Sequence, residues 1–568
     1  MTVLESGKSR WAAGETIVHR LARVAAERPD DRAFTFVAST GAQETWTYGA
    51  LWAAAASRAR EVAARVRPGA RVLVLEPSGL DYLAALFGVM AAGATAVPLL
   101  PPRSARNAER LAHVVRAARA ELALAPAQVQ ARFADAGLRL PWAPAAVEAA
   151  GDTPVRAELD GTAVLQFTSG STGDPKGVVL GHRPIRANIT HIHDAFPFEE
   201  GLRWVGWLPL QHDMGLVGNV LAPVAEGQAC TLMAPETFLM RPARWLQAVS
   251  ETRANISGGP DFAYALCADR VRDADLEGLD LSSWRVAFVG AEPVRAVTLD
   301  RFAERFAGAG FRREAFFPCY GLAEATLFVA SGPPERRARV FELDPGALAR
   351  GWMEPRSGGR RFVGHGGARP GQTLAVVDPE TGARAAPTRV GELWIRGPNV
   401  AEGYLDRPED TAFTFGRVLD GQSGWLRTGD LGGVIDGELI VTGRSKDMIV
   451  VGGHNVYPQD IERAVEASVP QLSPGGTIAF SVDDGAAERV VLVTELKRDA
   501  LRGPLSEVGP AARAAAFRSE GVAIDELVLL RPGGLPRTTS GKPRRRACRD
   551  AYLSGRLPAL TPREKGAQ

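Results

Sequence analysis

The sequence predicts an α/β protein of more than one domain, and three observations support that prediction. At 568 residues the chain exceeds the roughly 250–300 residues at which a single hydrophobic core stops growing. Strand-like and helix-like segments alternate along its first part, which favours parallel sheets covered by helices. After about Val329 short strands punctuated by glycine and proline take over, and a mixed α/β pattern resumes at about Asp447.

The first clear unit is a strand, a helix and a second strand. The run "RVLVLEPSG" reads as a buried strand that ends in a turn, and "LDYLAALFGVMAAG" has the apolar density of a packed helix. The run "ATAVPLLPP" returns as a strand that prolines close. Such βαβ units place ligands at the carboxyl ends of their strands.

The same reading extends along the rest of the chain. It predicts strands at "WVGWLPL" (204–210), "ACTLMAP" (229–235) and "RVAFVG" (285–290), and helices over 241–251 and 294–310. In the β-rich part it predicts strands at "QTLAVVD", "GELWIRG" and "GELIVTGR". In the last part it predicts a helix at "DIERAVEAS" and a strand at "ERVVLVTEL".

Composition excludes several classes of protein. Hydrophobic residues make up 45% of the chain and charged residues 23%, and the net charge is +2, so nothing global points to nucleic acid or an anionic membrane as partner. Without a signal-peptide pattern or an eighteen-residue apolar run, we expect a cytoplasmic protein with no stable membrane insertion. Scattered cysteines predict reduced thiols, and His191 and His193, two positions apart on a predicted helix, do not predict a metal site.

A glycine- and hydroxyl-rich loop, "TSGSTGDPKG" (168–177), carries the strongest local signal. Glycines let backbone N–H groups turn inward, hydroxyls add donors and Lys176 adds a mobile positive charge, which together suit a polyphosphate. The spacing is not the Walker pattern, and the loop joins two strand-like runs instead of opening into a helix, so a P-loop NTPase is disfavoured. Taken alone, the segment could also be a flexible surface hairpin.

Six further stretches accompany this loop in a fixed order. They are "WLPLQHDMGLVG", "VGAEPV", "YGLAEATL", "LRTGDLG", "GRSKDMIVVGGHNVYPQDIE" and "PRTTSGKPRRR". Together with the loop they resemble the adenylate-forming superfamily of acyl-CoA synthetases, luciferases and peptide-synthetase adenylation domains, over nearly the whole chain. The resemblance implies a large domain of two packed α/β subdomains plus a β-rich subdomain (1–443), a hinge (444–446) at Lys446 and a small mobile α+β lid (447–568).

The resemblance also implies a role for each motif in turning a carboxylic acid and ATP into acyl-AMP and pyrophosphate. Lys542, from the lid, would reach the α-phosphate and the carboxylate, and His212 would lie between nucleotide and acyl pocket. Glu324, together with Thr168, would bind Mg²⁺. The nucleotide would be held by Thr168, Ser169, Gly170, Ser171, Thr172, Gly173, Lys176, Gly290, Ala291, Glu292, Pro293, Tyr320, Gly321, Asp430 and Arg444. The reaction needs cations and oriented donors because a negatively charged carboxylate must approach the negatively charged α-phosphate, and such groups offset the repulsion.

Each of these residues has a plainer explanation. Asp430 could end a turn, Glu324 could be a helix-surface charge and His212 could be a structural histidine. Lys542 lies in a basic cluster that could be a solvated face or a nucleic-acid patch, with Arg537, Arg544, Arg545, Arg546 and Arg549. The near-neutral charge of the whole chain argues against the nucleic-acid reading.

Details of the motifs resemble the fatty acyl-AMP ligases within that superfamily. After "YGLAEATL" the chain inserts residues 337–366 before Pro370 and Gly371. In fatty acyl-AMP ligases an insertion at this place is linked to loss of the CoA reaction, and the acyl group passes to a carrier-protein phosphopantetheine. Gln211 and Pro543 depart from the usual pattern, which bears on substrate choice and lid docking.

The resemblance therefore predicts activation of a medium- or long-chain fatty acid with ATP and Mg²⁺, and transfer to a separate acyl carrier protein. Three alternatives stay open at this stage. The enzyme could be an acyl-CoA or aryl-CoA synthetase, or an amino-acid adenylation enzyme in which Asp213 or Asp261 holds the α-amino group. The third alternative is a non-catalytic nucleotide- or nucleic-acid-binding module, against which the intact Lys176, Glu324, Asp430 and Lys542 count.

Overall fold

The structure is a computed structural model. It describes residues 11–102, 105–135, 140–143, 155–168, 176–196, 201–451, 454–483, 488–538, 541–560 and 564–565. None of the helices in these ranges has the length and apolar character needed to span a bilayer.

The strands of the described residues are numbered in chain order. They are β1 Arg32–Val37, β2 Gln43–Thr47, β3 Arg71–Val74, β4 Thr95–Pro98, β5 Leu122–Leu124, β6 Trp142–Ala143, β7 Thr162–Thr168, β8 Lys176–Gly181, β9 Arg203–Gly206, β10 Ala229–Met233, β11 Ile256–Gly259, β12 Val286–Val289, β13 Phe316–Gly321, β14 Phe328–Ser331, β15 Val340–Leu343, β16 Arg360–Val363, β17 Gly367–Ala368, β18 Thr373–Val377, β19 Gly391–Arg396, β20 Gly403–Tyr404, β21 Arg417–Leu419, β22 Gln422–Ile435, β23 Glu438–Arg444, β24 Ile449–Val451, β25 His454–Val456, β26 Leu472–Asp483, β27 Glu488–Leu496, β28 Glu526–Leu530 and β29 Glu564–Lys565.

The α-helices of the same ranges follow the same convention. They are α1 Ile17–Glu27, α2 Tyr48–Ala63, α3 Leu80–Ala91, α4 Ala105–Ala118, α5 Ala127–Asp135, α6 His182–Ala195, α7 Ala222–Glu226, α8 Pro235–Met240, α9 Ala243–Thr252, α10 Asp261–Arg270, α11 Ala296–Phe306, α12 Pro345–Ala349, α13 Pro408–Thr414, α14 Pro458–Ser468, α15 Val508–Glu520 and α16 Arg545–Leu553. A π-helix spans Met214–Leu221.

Two large sheets form the first part of the molecule. One has the strand order β17-β14-β13-β12-β11-β9-β10-β1-β2, and its run from β13 to β1 is parallel. The other has the order β20-β8-β7-β4-β3-β5-β6. A continuous apolar cluster includes residues of both sheets and of α3, which is buried except at Asp81. The predicted packing of α/β units is therefore confirmed.

Two smaller units complete the described fold. A five-stranded sheet joins β18, β19, β22 and β21, with β23 paired to β22, in the part predicted to be β-rich. The C-terminal part contains the sheet β26-β27-β28-β29 with α14, α15 and α16, and has apolar clusters of its own. A large N-terminal domain and a smaller C-terminal domain are thus present, while the exact limits 1–443, 444–446 and 447–568 stay a prediction.

The predicted elements differ from the structure mainly at their ends. The prediction of a strand over 204–210 is wrong beyond Gly206, where β9 ends and a turn follows, with His212 N donating to the Pro209 carbonyl over 3.0 Å. Residues 207–210 are buried outside any strand, so their apolar character reflects burial and does not indicate a strand. The helix predicted over 294–310 is shorter, since α11 ends at Phe306 and a 3₁₀ turn continues to Ala309.

Candidate active site

The carboxyl ends of three neighbouring parallel strands bring the predicted nucleotide motifs together. Gly290 to Pro293 follow β12, Tyr320 and Gly321 end β13, and Asp261 follows β11 after one residue. A Cβ at Gly290 would lie 2.4 Å from the Cys319 carbonyl oxygen, and one at Gly321 would lie 1.7 Å from the Leu327 carbonyl oxygen. Only glycine therefore allows the backbone to pass this closely at either position.

The predicted phosphate loop connects two antiparallel strands, as its flanking runs indicated. Strand β7 ends at Thr168 and β8 begins at Lys176, and the register pairs these two residues. Ser169, Gly170, Ser171, Thr172 and Gly173 lie outside the described residues, as does the side chain of Thr168. Their predicted contacts stay predictions.

Lys176 lies at the base of this loop in a contact network that the sequence reasoning missed. Its Nζ is 2.5 Å from Asp410 Oδ1 and 4.9 Å from the centre of the Tyr404 ring. Tyr404 belongs to the short strand β20, which pairs with β8, and its hydroxyl donates to Glu324 Oε1 over 2.8 Å. Tyr404 thus links the lysine to the predicted Mg²⁺ ligand. The run "AEGYLDRPED" offered no charge or spacing signal for this role.

Glu324 lies in a 3₁₀ turn, Ala323–Ala325, rather than on the surface of a helix. Its side chain is half-buried, and burial raises the pKa of its carboxyl, an effect that the Tyr404 hydrogen bond opposes. The backbone nearby is held by Ala401 N, which donates to the Glu324 carbonyl over 2.9 Å. The carboxylate is thus held by the Tyr404 hydroxyl, and Lys176 lies over the ring of the same tyrosine.

Asp430 is not a turn residue: it lies inside the long strand β22 and is 6% exposed. Its Oδ2 accepts from the Tyr320 hydroxyl over 2.7 Å, and its Oδ1 accepts from Arg444 Nε over 2.9 Å. The register of β22 and β23 places Asp430 directly opposite Arg444. The negative charge of Asp430 raises the pKa of the Arg444 guanidinium, and burial raises the pKa of Tyr320. Three predicted nucleotide contacts therefore meet in one cluster.

His212 and Asp213 stand at the start of the π-helix. The two side chains are 2.5 Å apart, from His212 Nδ1 to Asp213 Oδ1, and Asp213 also accepts from Met214 N over 2.7 Å. Burial alone would raise the pKa of Asp213, but His212 and the Met214 hydrogen bond hold it below its ordinary value. π-Helical turns are frequent at functional sites, and no sequence pattern predicted this one.

Lys542 reaches across from the C-terminal domain to the ends of the large sheet. Its Nζ donates to the Ala291 carbonyl oxygen, in a residue whose φ of +64° is unusual for a non-glycine. Burial lowers the pKa of Lys542, Glu292 and Asp213 act in the opposite direction, and Arg444 lowers it further. Lys542 therefore lies close enough to interact with Glu292 of the predicted adenine motif, with Asp213 next to His212, and with Arg444 of the predicted ribose site. Lys446, the predicted hinge, lies in the 3₁₀ turn Ser445–Asp447.

The remaining cationic side chains near Lys542 are partly internal to the C-terminal domain. Arg545 pairs with Asp447 over 2.9 Å and with Glu462 over 2.6 Å, and Arg537 pairs with Glu495 over 2.9 Å. A nucleic-acid patch would need these side chains at the surface. The internal pairing of Arg537 and Arg545 removes two side chains from such a patch, whereas Arg546 and Arg549 are exposed.

The two acidic residues considered for an α-amino group already have partners. Asp261 is 4% exposed, accepts from Arg295 N and from the Thr298 hydroxyl, both over 2.9 Å, and burial raises its pKa to about 7. Asp213 is paired with His212. Asp261 is buried with two donors, and Asp213 is held by His212 and Met214, which argues against an amino-acid substrate.

The insertion contacts both domains. Strands β15 and β16 form a hairpin, with α12 between them, and Leu343 and Phe362 pack on Ile440 of β23. Arg360 forms an ion pair with Asp460 on α14 of the C-terminal domain, where the side chains are 13% and 1% exposed. The Arg360 guanidinium also lies 5.4 Å from the centre of the Tyr457 ring. The insertion therefore contacts the large domain and, through Arg360, the C-terminal domain.

The described residues contain no cluster of three or more histidine, cysteine or acidic side chains that could enclose a metal ion. Mg²⁺ does not require such a cluster, because it is usually held by one or two carboxylates together with substrate phosphates. Glu324, fixed through one oxygen by Tyr404 beside the loop lysine, suits that mode of binding.

Comparison with known proteins agrees with this geometry. A family described as "AMP-binding enzyme" matches residues 21–405, and one described as "Disco-interacting protein 2-like, AMP domain" matches residues 446–561. The medium-chain-fatty-acid–[acyl-carrier-protein] ligase JamA of Moorena producens is 38% identical, over 88% of this chain and 88% of that protein.

A second relative and a solved structure extend the likeness. The long-chain-fatty-acid–AMP ligase FadD26 of Mycobacterium marinum is 36% identical, over 93% of this chain and 95% of that protein. The fatty acyl-adenylate ligase from L. pneumophila, solved in complex with acyl adenylate and pyrophosphate, is 32% identical with a TM-score of 0.76, covering 99% of each chain.

Proposed function

The chain belongs to the AMP-binding enzymes, in their fatty acyl-AMP ligase branch, and from this premise we propose that it activates a fatty acid with ATP and Mg²⁺ and passes the acyl group to a separate acyl carrier protein. The single observation that best supports the proposal is the convergence of Lys542, Asp430 with Arg444, and Lys176 with Glu324 around the carboxyl ends of β12 and β13. A medium- or long-chain acid is proposed, since the two relatives are named for those classes.

In the first half-reaction a carboxylate oxygen of the acid attacks the α-phosphorus of ATP. The bond from that phosphorus to the bridging oxygen breaks, and pyrophosphate leaves. Negative charge grows on the phosphoryl oxygens during this step, so oriented cations lower the barrier. Lys542 supplies one such charge, and burial lowers its pKa because the site removes the ammonium group from water.

The other residues hold the nucleotide in place. Asp430 accepts from the ribose hydroxyls while Arg444 and Tyr320 fix its carboxylate from either side. Gly290 to Pro293 line the adenine, and Lys176 attracts the pyrophosphate end. Mg²⁺, when bound at Glu324 and Thr168, neutralises phosphate charge.

In the second half-reaction the thiolate of the carrier's phosphopantetheine attacks the acyl carbon, and AMP leaves with the electrons of the broken C–O bond. The Lys542 side chain must withdraw to admit the thiol, which requires the C-terminal domain to rotate about Lys446. The contact of Arg360 with Asp460 opposes that rotation. We propose that CoA therefore reacts poorly, whereas a carrier that contacts the rotated domain offsets the cost.

Acid-dependent exchange of labelled pyrophosphate into ATP tests the first half-reaction. The wild type should exchange with medium- or long-chain fatty acids and not with amino acids. Lys542→Ala should lose the exchange, and the matched lid variant Lys497→Ala, whose Nζ contacts only the surface carbonyl of Pro470 among the described residues, should keep it. Exchange with amino acids alone would contradict the proposal. The cytoplasmic location stays a prediction.

A further inference from the structure

A polar depression of about 620 Å³ lies at the other end of the nine-stranded sheet, away from the candidate active site. It lies at the amino ends of β9, β11, β12 and β13, the strands whose carboxyl ends form the candidate active site. Arg203 begins β9, Arg285 precedes β12 and Arg312 lies shortly before β13, while Arg253 follows α9. The strands therefore separate this depression from the nucleotide site.

Its lining is strongly basic. Of the eight lining residues, four are arginines and none is acidic, and Ser282 and Ser283 add hydroxyl groups. Several guanidinium groups around one concave surface raise the local positive potential, which low-dielectric walls concentrate. Such an arrangement favours a ligand with several negative charges in a small volume.

The arginines are held by partners on the rim. Arg253 is 3.2 Å from Asp280, and Arg285 and Arg312 are 2.8 and 3.7 Å from Glu335. Arg203 donates one N–H to the Thr252 carbonyl at the end of α9. Capping of that helix explains one hydrogen bond of one arginine. Asp280 and Glu335 offset part of the charge of the other three arginines, and four guanidinium groups against two carboxylates leave a net positive charge of two around the depression.

We propose that this depression, the four-arginine pocket, binds a small molecule that carries a diphosphate or triphosphate group. Guanidinium forks match phosphate oxygens and donate two hydrogen bonds at a time. The volume lies in the range of small-molecule sites, which is about 300–1,000 Å³. The lining residues include no aromatic ring on which bases could stack, which disfavours single-stranded nucleic acid.

Arginine modification with phenylglyoxal, mapped by mass spectrometry, tests the proposal with inorganic tripolyphosphate as probe. This local readout separates the pocket from any binding of the probe at the nucleotide site. If the dissociation constant is about 0.1 mM, 1 mM probe should slow modification of Arg253 and Arg312 about tenfold. Arg301, an exposed arginine on α11 paired with Asp269, serves as the internal reference and should react at an unchanged rate.

Variants complete the test. In Arg253→Gln/Arg312→Gln, which changes two side chains that are 63% and 52% exposed, protection of Arg203 and Arg285 should fall below about twofold. Arg301→Gln should keep the wild-type protection. Equal protection by sodium chloride at matched ionic strength, equal protection of Arg301, or none at all would overturn the proposal. Protection by a poly-glutamate peptide but not by tripolyphosphate would also overturn it, in favour of an acidic protein partner.

Discussion

Removing the cation that joins the insertion to the C-terminal domain should give the enzyme a CoA reaction. The change is Arg360→Met, which keeps much of the apolar stem of the side chain and deletes the charge. Asp460 is 1% exposed, so it would be left buried beside a neutral partner for as long as the two domains stay in contact. In the rotated arrangement the same carboxylate would be hydrated.

The magnitude follows from the burial of this pair. Leaving one member of a buried ion pair without its partner costs about 3–5 kcal/mol. Arg463 stays 3.1 Å from Asp460 and retains part of the interaction, so we take about 2 kcal/mol. If the wild type favours the position seen here by about 3 kcal/mol, the rotated population would rise from below roughly one per cent to roughly one in six. Acyl-CoA formation should then rise about 20- to 30-fold.

The assay measures acyl-CoA and acyl-AMP by mass spectrometry after mixing enzyme, ATP, Mg²⁺, a fatty acid and CoA. Acyl-AMP formation should stay near wild type, because Arg360 touches no reacting group. Arg361→Met is the matched control: Arg361 is the next residue and pairs with Asp300 of α11, 3.1 Å away in the large domain. An unchanged CoA rate in a folded Arg360→Met enzyme, or an equal gain in Arg361→Met, would refute the reasoning.

Four further outcomes follow from the same geometry. Lys542→Ala should cut acyl-AMP formation about 10²-fold or more while ATP affinity by calorimetry barely changes, and wild-type rates would remove Lys542 from the mechanism. Asp430→Ala should weaken the binding of ATP and of AMP by about 1.5–3 kcal/mol each, because the variant lacks the acceptor for the ribose hydroxyls and leaves Tyr320 and Arg444 without their partner. Unaltered nucleotide affinity would mean that the ribose binds elsewhere. Tyr404→Phe should raise the Mg²⁺ concentration needed for half-maximal exchange about tenfold, because Glu324 loses the donor that orients it, and an unchanged Mg²⁺ titration would contradict this role. Burial raises the pKa of Asp460 to about 6, above its ordinary value, so the folded protein binds this proton more tightly than the unfolded chain does. Part of the free energy of unfolding should therefore be lost as the pH rises through about 6, and urea titrations of Asp460→Asn should show a smaller loss; an equal loss in both proteins would contradict this.

Sequence patterns predicted the elements whose physical cause is local. The helix α3 was predictable because a run of apolar helix formers must be buried on nearly all sides, and β3 and β4 because short apolar runs end at turn residues. The strand predicted over 204–210 was too long, since an apolar run records burial and cannot tell a strand from a buried turn.

The residues of the candidate site also fall into those that a local motif predicts and those that depend on contacts between distant parts of the chain. Asp430 and Lys542 were predictable through their motifs, yet nothing local shows that Asp430 lies within a strand opposite Arg444. Tyr404 and Asp410 were missed because they reach Lys176 only through the pairing of β20 with β8, a contact between residues more than 200 positions apart. The ion pair of Arg360 with Asp460 depends likewise on how two domains meet.

The most direct test of the account offers one enzyme two acceptors at once. Wild-type protein is mixed with ATP, Mg²⁺, a fatty acid, CoA and a phosphopantetheine-loaded acyl carrier protein of a lipid or polyketide synthase, and mass spectrometry follows the acyl group. We expect acyl-AMP to form first, the acyl-carrier to accumulate with turnover, and acyl-CoA to stay below roughly one per cent of the product. Rapid acyl-CoA formation by the intact chain, with the carrier left unloaded, would contradict the account and make the protein an acyl-CoA synthetase.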